Sequence, residues 1–162
     1  MKHVKKSVLL WYSPHEMYSL VTAIADYPDF LPWCDKADVL QQHDDGVTAR
    51  LGLAYMGLRH AFTTRNVQVS DSSVAVSLVD GPFSLLDGTW LFTPLGRPGK
   101  GPQGPQGPQG PQGPQACKIE FDLRYAFASP ALEVVVSPVF DKVANTFVDS
   151  FVRRAEDVYG AR

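Results

Sequence analysis

No catalytic or metal-binding set emerges from the residue types and spacings of this chain. His60, Asp80, Asp87 and Glu120 are the titratable candidates for such chemistry, and each falls at a turn or on a strand phase that reads as exposed, as expected of a solvated surface group. An acid or base working inside a cavity would need burial and a specific neighbour to shift its pKa. HExxH, P-loop and GxSxG motifs are missing from the sequence, and its Gly-x-Gly spacings belong to the triplet run or to isolated turns, so they make no dinucleotide fingerprint. Cys34 and Cys117 lie far from any metal-ligand spacing, and in a reducing compartment they are expected as two buried free thiols. Catalytic residues and metal ligands are therefore not assigned.

What remains is apolar. The chain has 162 residues, 44% hydrophobic and 20% charged, which suits one globular domain around a single core. A formal charge of -2 argues against a generic polyanion binder, DNA included, although Arg50, Arg59, His60, Arg65, Arg153 and Arg154 supply local cations. No apolar run approaches the roughly 20 residues of a membrane span. The opening MKHVKKSVLLWYSPHE has too short an apolar stretch and no small-residue cleavage site for a secretory signal, so a cytoplasmic location is expected.

Periodicity supplies the elements. His3 to Tyr12 reads as a strand. Ser13-Pro14-His15-Glu16 joins a cap, a first-turn proline and a glutamate that answers the cap, so a helix starts there and is expected to end near Tyr27-Pro28. Alternating runs follow at Val39 to Gln42, Val47 to Tyr55, Arg59 to Val69, Val74 to Val79, Leu86 to Leu95 and Cys117 to Phe127, parted by turn residues such as Asp45-Gly46 and Met56-Gly57. In the last run Cys117, Ile119, Phe121, Leu123, Tyr125 and Phe127 share one face and charged residues the other. A long helix then runs from Ser129-Pro130 to about Tyr159, with Phe140, Val143, Phe147, Phe151, Ala155 and Val158 on one stripe. Pro138 is expected to kink or divide it.

GPQGPQGPQGPQGPQ at residues 101–115 satisfies the glycine spacing of collagen. It stands between two strands that a short turn would otherwise join. The simplest account is a hairpin loop expanded over residues 97–116 within a single domain of residues 1–162, since each doubling of loop length costs only about 0.6 kcal/mol.

An antiparallel meander with a long helix must bury its aromatic face. Phe62, Trp90, Phe92, Phe121, Tyr125, Phe147 and Phe151 either fill a core or, with Val143, line a space between sheet and helix. Gly81-Pro82 sets Phe83 at a strand entrance.

DYPDFLPWC at 26–34, AFTTRN at 61–66, LVDGPFSLLDGTWLFTPL at 78–95, CKIEFDLRYAF at 117–127 and the ending VFDKVANTFVDSFVRRAEDVYGAR resemble the bacterial ribosome association toxin and coenzyme Q-binding protein family, within the START-like, polyketide cyclase-like superfamily. The resemblance covers the chain except about residues 97 to 116. It implies an α+β helix-grip fold, a curved antiparallel sheet wrapped around the C-terminal helix, with a cavity between them for a hydrophobic molecule. Ubiquinone or a polyisoprenoid precursor is the leading ligand, bound without catalysis. Phe30, Leu31 and Trp33 then form part of the mouth, with Trp33 meeting a lipid or the inner membrane surface, unless Pro28 and Pro32 merely stiffen a turn there. Two other functions follow from the same resemblance. One is a toxin that binds the large ribosomal subunit and hinders subunit joining, for which Arg50, Arg59 and Arg65 would make phosphate contacts. The other is cyclase-like turnover.

Overall fold

The computed structural model describes residues 1–95 and 116–162. Seven strands form one sheet among these residues: β1 Lys2–Leu10, β2 Cys34–His43, β3 Gly46–Tyr55, β4 Leu58–Val69, β5 Ser73–Asp80, β6 Phe83–Pro94 and β7 Cys117–Phe127. Their order is β1-β7-β6-β5-β4-β3-β2 and every pairing is antiparallel. Strands β2 to β7 meander, and β1 closes the row against β7. Register shifts within β2, at Thr63/Thr64 of β4 and at Phe83/Leu85 of β6 insert extra residues, which bend strands and coil the sheet into its curve.

Helix α1, Pro14–Thr22, begins with a full capping box: the Glu16 amide donates to the Ser13 hydroxyl at 3.0 Å and the Ser13 amide donates to the Glu16 carboxylate at 2.8 Å. It stops at Thr22, earlier than the sequence predicts, and a 3-10 helix at Ile24–Asp29 continues through Pro28. The tighter winding has a packing cause. Ile24 and Tyr27 are both buried, and three residues per turn sets them on one edge. Strand β2 likewise starts at Cys34, ahead of the predicted Val39, because it pairs with β3 across two bulges that its own side-chain alternation does not announce.

Helix α2, Pro130–Tyr159, is capped by Ser129, whose hydroxyl accepts from the Leu132 amide at 3.2 Å. It is one continuous helix through Pro138 and is not divided there. Pro138 and Val134 are both exposed, so the carbonyl that loses its donor there faces solvent and no buried hydrogen bond is forfeited. The buried stripe is Val136, Phe140, Val143, Ala144, Val148, Phe151 and Ala155, while Val158 is exposed. Burial of each large side chain on this stripe contributes about 1.5–3 kcal/mol.

The Lys2 ammonium and the Tyr125 hydroxyl both donate to the Asp141 carboxylate, at 2.5 and 2.6 Å, so β1, β7 and α2 meet on one acid. At the far end of α2 the Tyr159 hydroxyl donates to the Glu16 carbonyl and Arg162 pairs with the Glu16 carboxylate at 2.7 Å. These ties hold α2 across the concave face and so define the space beneath it.

The triplet run lies outside the described residues. Its flanks are adjacent: Pro94 and Cys117 are register partners, and the Leu95 amide donates to the carbonyl of buried Ala116 at 3.0 Å. The hairpin ladder thus reaches Ala116.

Candidate functional site

Alternation on β4 turns Phe62, Thr64 and Asn66 toward α2, and their register partners do the same from either side: Val47, Ala49 and Leu51 on β3, Val76 on β5. Of these, Phe62, Thr64, Asn66, Leu51 and Val76, together with Trp90, Phe121 and the α2 residues Phe140, Val143, Ala144 and Phe147, line a cavity of about 80 Å³. Gly88 and Ala144 explain why space survives there. One leaves the sheet wall without a side chain and the other gives the helix wall only a methyl group. A Cβ on Gly88 would already sit 3.1 Å from a Leu123 methyl.

The chemistry of this space is nearly all apolar, with one polar spot. Thr64 and Asn66 are 4% and 8% exposed. The Thr64 hydroxyl donates to the Asn66 Oδ1 at 2.8 Å, which holds the carboxamide, and among the described residues Asn66 Nδ2 donates to nothing. An unpaired donor at such depth costs about 1–3 kcal/mol. The one titratable side chain lining the cavity, Tyr27, is tied up: its hydroxyl donates to the Val21 carbonyl at 2.5 Å, and burial pushes its pKa up. His60 and Glu120 are half-buried, Asp80 and Asp87 exposed, and all four stand away from the cavity. Burial raises the Cys34 and Cys117 thiols to about 11, so both free cysteines stay protonated and unreactive at neutral pH.

Of the aromatic and aliphatic residues singled out from sequence, Trp33, Phe62, Trp90, Phe121, Val143 and Phe147 line the cavity. Phe147 stands among three of them, with ring centroids 6.1 Å from Trp33, 5.7 Å from Trp90 and 5.6 Å from Phe121. The others lie behind the wall. Phe151 packs edge-on against Trp90, Tyr27 and Phe30. Phe92 stacks beside Trp90, and Leu31 is buried. Phe83 and Tyr125 pack against Phe140 at 4.8 Å each. Phe30 is half-buried beneath the Arg154 guanidinium, 4.9 Å from its ring.

Trp33 corrects the expectation of a surface anchor. It is 5% exposed, because the Cys34 amide bonds back to the Leu31 carbonyl and the Ala54 amide donates to the Trp33 carbonyl at 2.7 Å, which seats the indole inward against Phe147. It forms a partition. Trp33 and Val143 line both the cavity and an outer groove of about 60 Å³ completed by Pro32, Tyr55, Val139, Lys142 and Thr146.

Thr64 and Asn66 were missed from sequence. The available signal was their phase: they share the inward parity of Phe62, where a strand with one buried side ought to carry apolar residues.

A larger hollow of about 350 Å³ opens on the outside of β2 to β4, but it is polar and its charges are of both signs. Arg59 pairs there with Asp35 at 3.0 Å, and Arg50 is the register partner of Asp38. Arg65 pairs with Asp45 at 2.5 Å. The three arginines considered for phosphate contact therefore each have a carboxylate as ion-pair or cross-strand partner.

The sequence model described as polyketide cyclase/dehydrase and lipid transport matches residues 10–152. The ribosome association toxin RatA of Pseudomonas aeruginosa is 37% identical over 158 residues, covering 98% of each chain. The mitochondrial coenzyme Q-binding protein COQ10 homolog B of Xenopus laevis is 25% identical over 158 residues, 96% of this chain and 58% of that protein. A START superfamily protein from Mycobacterium smegmatis superposes with a TM-score of 0.73 at 19% identity, covering 96% of this chain and 98% of the other, a likeness of fold.

Proposed function

The chain belongs to the polyketide cyclase/dehydrase and lipid transport family, and on that premise we propose that it binds ubiquinone or a polyisoprenoid precursor in the space under α2 and supports respiratory quinone function without catalysing a reaction. The observation that carries this reading is the cavity itself: apolar, roofed by α2, and provided with one open polar contact. Apolar walls favour a prenylated ligand, whose burial gains about 25 cal/mol per Å² removed from water. Binding is favoured over cyclase-like turnover because the titratable group at hand, Tyr27, donates its proton to a carbonyl and is held protonated by burial.

Size sets a condition. Small-molecule pockets commonly measure about 300–1,000 Å³, so loading requires the wall to move. Phe147, half-buried and bounded by the rings of Trp33, Trp90, Phe121 and Phe151, is the side chain whose rotation would join cavity to groove. The prenyl tail would leave past Trp33 and Val143 along the groove, with Lys142 at its rim suited to a transient contact with the anionic inner membrane surface. No described helix is long and apolar enough to cross a membrane. In this reading the protein is cytoplasmic, peripheral at that membrane, and a single START-like unit over residues 1–162.

Native mass spectrometry of protein purified from a quinone-producing bacterium, with extraction of the bound lipid, is the direct test. A stoichiometric isoprenoid quinone is expected. An interior that stays empty after incubation with quinone overturns the reading.

The relative named for ribosome association matches over 98% of both chains, which favours binding to the large ribosomal subunit as the second reading. Contact through Arg50, Arg59 and Arg65 would require the Asp35 and Asp45 partners to be exchanged for phosphates, and it would weaken steeply with salt. Co-sedimentation with large subunits, compared between the wild type and an Arg59→Glu/Arg65→Glu variant, tests this. Association that survives with its salt dependence intact removes these residues from the interface.

A further inference from the structure

We infer that Asn66 reads the buried end of the ligand, selecting a head group that carries an oxygen acceptor, and that Thr64 is the residue that positions it. The inference rests on the hydrophobic-ligand reading above and adds to it a specificity element.

Asn66 and Thr64 are more than nine-tenths buried, on an inward strand face where every other neighbour is apolar. A buried carboxamide is normally paired through both of its polar atoms. Here only Oδ1 is, since the Thr64 hydroxyl donates to it at 2.8 Å. The backbone neighbourhood is also committed: β4 is laddered to β3 and β5 on both sides of Asn66, and Arg65 donates to the Asn66 carbonyl at 2.9 Å. Nδ2 is left as the open polar group at the cavity wall. Thr64 fixes the carboxamide through its oxygen, so among the described residues the group that has no partner is the Nδ2 donor. Its complement is a ketone, quinone or ether oxygen, and a quinone ring carries only acceptors.

The selectivity should be large for one contact. Discrimination is strong when a site's buried polar group is left unpaired by the wrong ligand and weak when only apolar contact is lost. Two probes share one tail and differ in the head: a ubiquinone head with a ten-carbon chain, and decylbenzene. The wild-type protein is expected to bind the quinone at least about tenfold more tightly than the hydrocarbon. Asn66→Leu should bring the two within about threefold of each other while decylbenzene binding is retained. Thr64→Val should erode the preference partly by freeing the carboxamide, and Thr64→Ser should restore it. Should the Leu variant fail to fold, the wild type still answers through the side-chain amide of Asn66, whose ¹H–¹⁵N signals should shift with the quinone and stay in place with decylbenzene. Equal affinity for both probes in the wild type, a preference that persists in Asn66→Leu, or an unmoved amide signal overturns the role of Asn66 and leaves a generic hydrophobic site. Binding of neither probe overturns the hydrophobic-ligand reading itself, and this inference with it.

Discussion

The interior under α2 has two ends built from the same kinds of residue. At one end Phe83, Tyr125 and Phe127 close around Phe140, with Phe83 and Tyr125 each 4.8 Å from it and Phe83–Phe127 at 5.4 Å. The polar atom there is answered, since the Tyr125 hydroxyl donates to Asp141. At the other end Trp33, Trp90, Phe121 and Phe147 stand at similar spacings, 4.7 to 6.1 Å between centroids, but Gly88 and Ala144 leave the walls bare and Asn66 Nδ2 goes unanswered. Aromatic content is the same at both ends, so it cannot be what makes a site. The difference lies in the small residues that face the rings and in whether buried polar atoms are paired.

The comparison breaks if the two ends respond alike to substitution. Phe83→Ala removes a ring from the packed end and is expected to lower stability by about 3–5 kcal/mol, measured by denaturant unfolding, with the ligand preference of the folded fraction unchanged. Ala144→Leu should do the reverse. Its added methylenes enter open space, so stability should change by about 1 kcal/mol or less while quinone binding in a titration falls at least about tenfold. A large loss of stability there would mean that this end is packed after all.

Smaller effects sharpen the contrast between paired and unpaired polar groups. Asn66→Leu alone strands the buried Thr64 hydroxyl, but Asn66→Leu with Thr64→Val removes both polar groups, so the ligand-free double variant should gain about 1 kcal/mol, or roughly 2–4 °C in Tm by calorimetry. Asp141 belongs to the packed end. Burial works to raise its pKa, but donation from Lys2, Tyr125 and Ser137 and the Lys2 charge outweigh that and hold the carboxyl below its ordinary 3.8. A depressed folded-state value stabilises the protein above the unfolded pKa, and the contribution is lost as pH falls through 3.8 toward the lower folded value. Melting curves of the wild type against Asp141→Asn should therefore converge on acidification through that window. Partial exposure of Asp141 keeps this the smallest of the four effects.

Elements whose signal is local were legible before folding was considered. The alternation Cys117, Ile119, Phe121, Leu123 and Tyr125 is the buried face of β7, and Ser13 and Ser129 cap the two α-helices where their sequence contexts ask for caps. The Met56-Gly57 turn is a two-residue hairpin with both residues at positive φ, 49° and 85°. Pro138 leaves α2 undivided because its exposed side can lose a hydrogen bond to solvent. Where expectation and structure part, a distant partner decides: Trp33 turns inward because β3 holds its carbonyl and Phe147 receives its ring.

By itself the sequence determined most of the strands and the capped starts of the helices, because each of these depends on neighbours a few residues away. Tertiary structure alone decided which aromatic residues enclose space and which pack solid, and that one carboxamide on β4 would be buried with an open donor. Both outcomes depend on where α2 lies over the sheet. Ties between residues such as Lys2 and Asp141, far apart along the chain, establish that position, and no local periodicity encodes it.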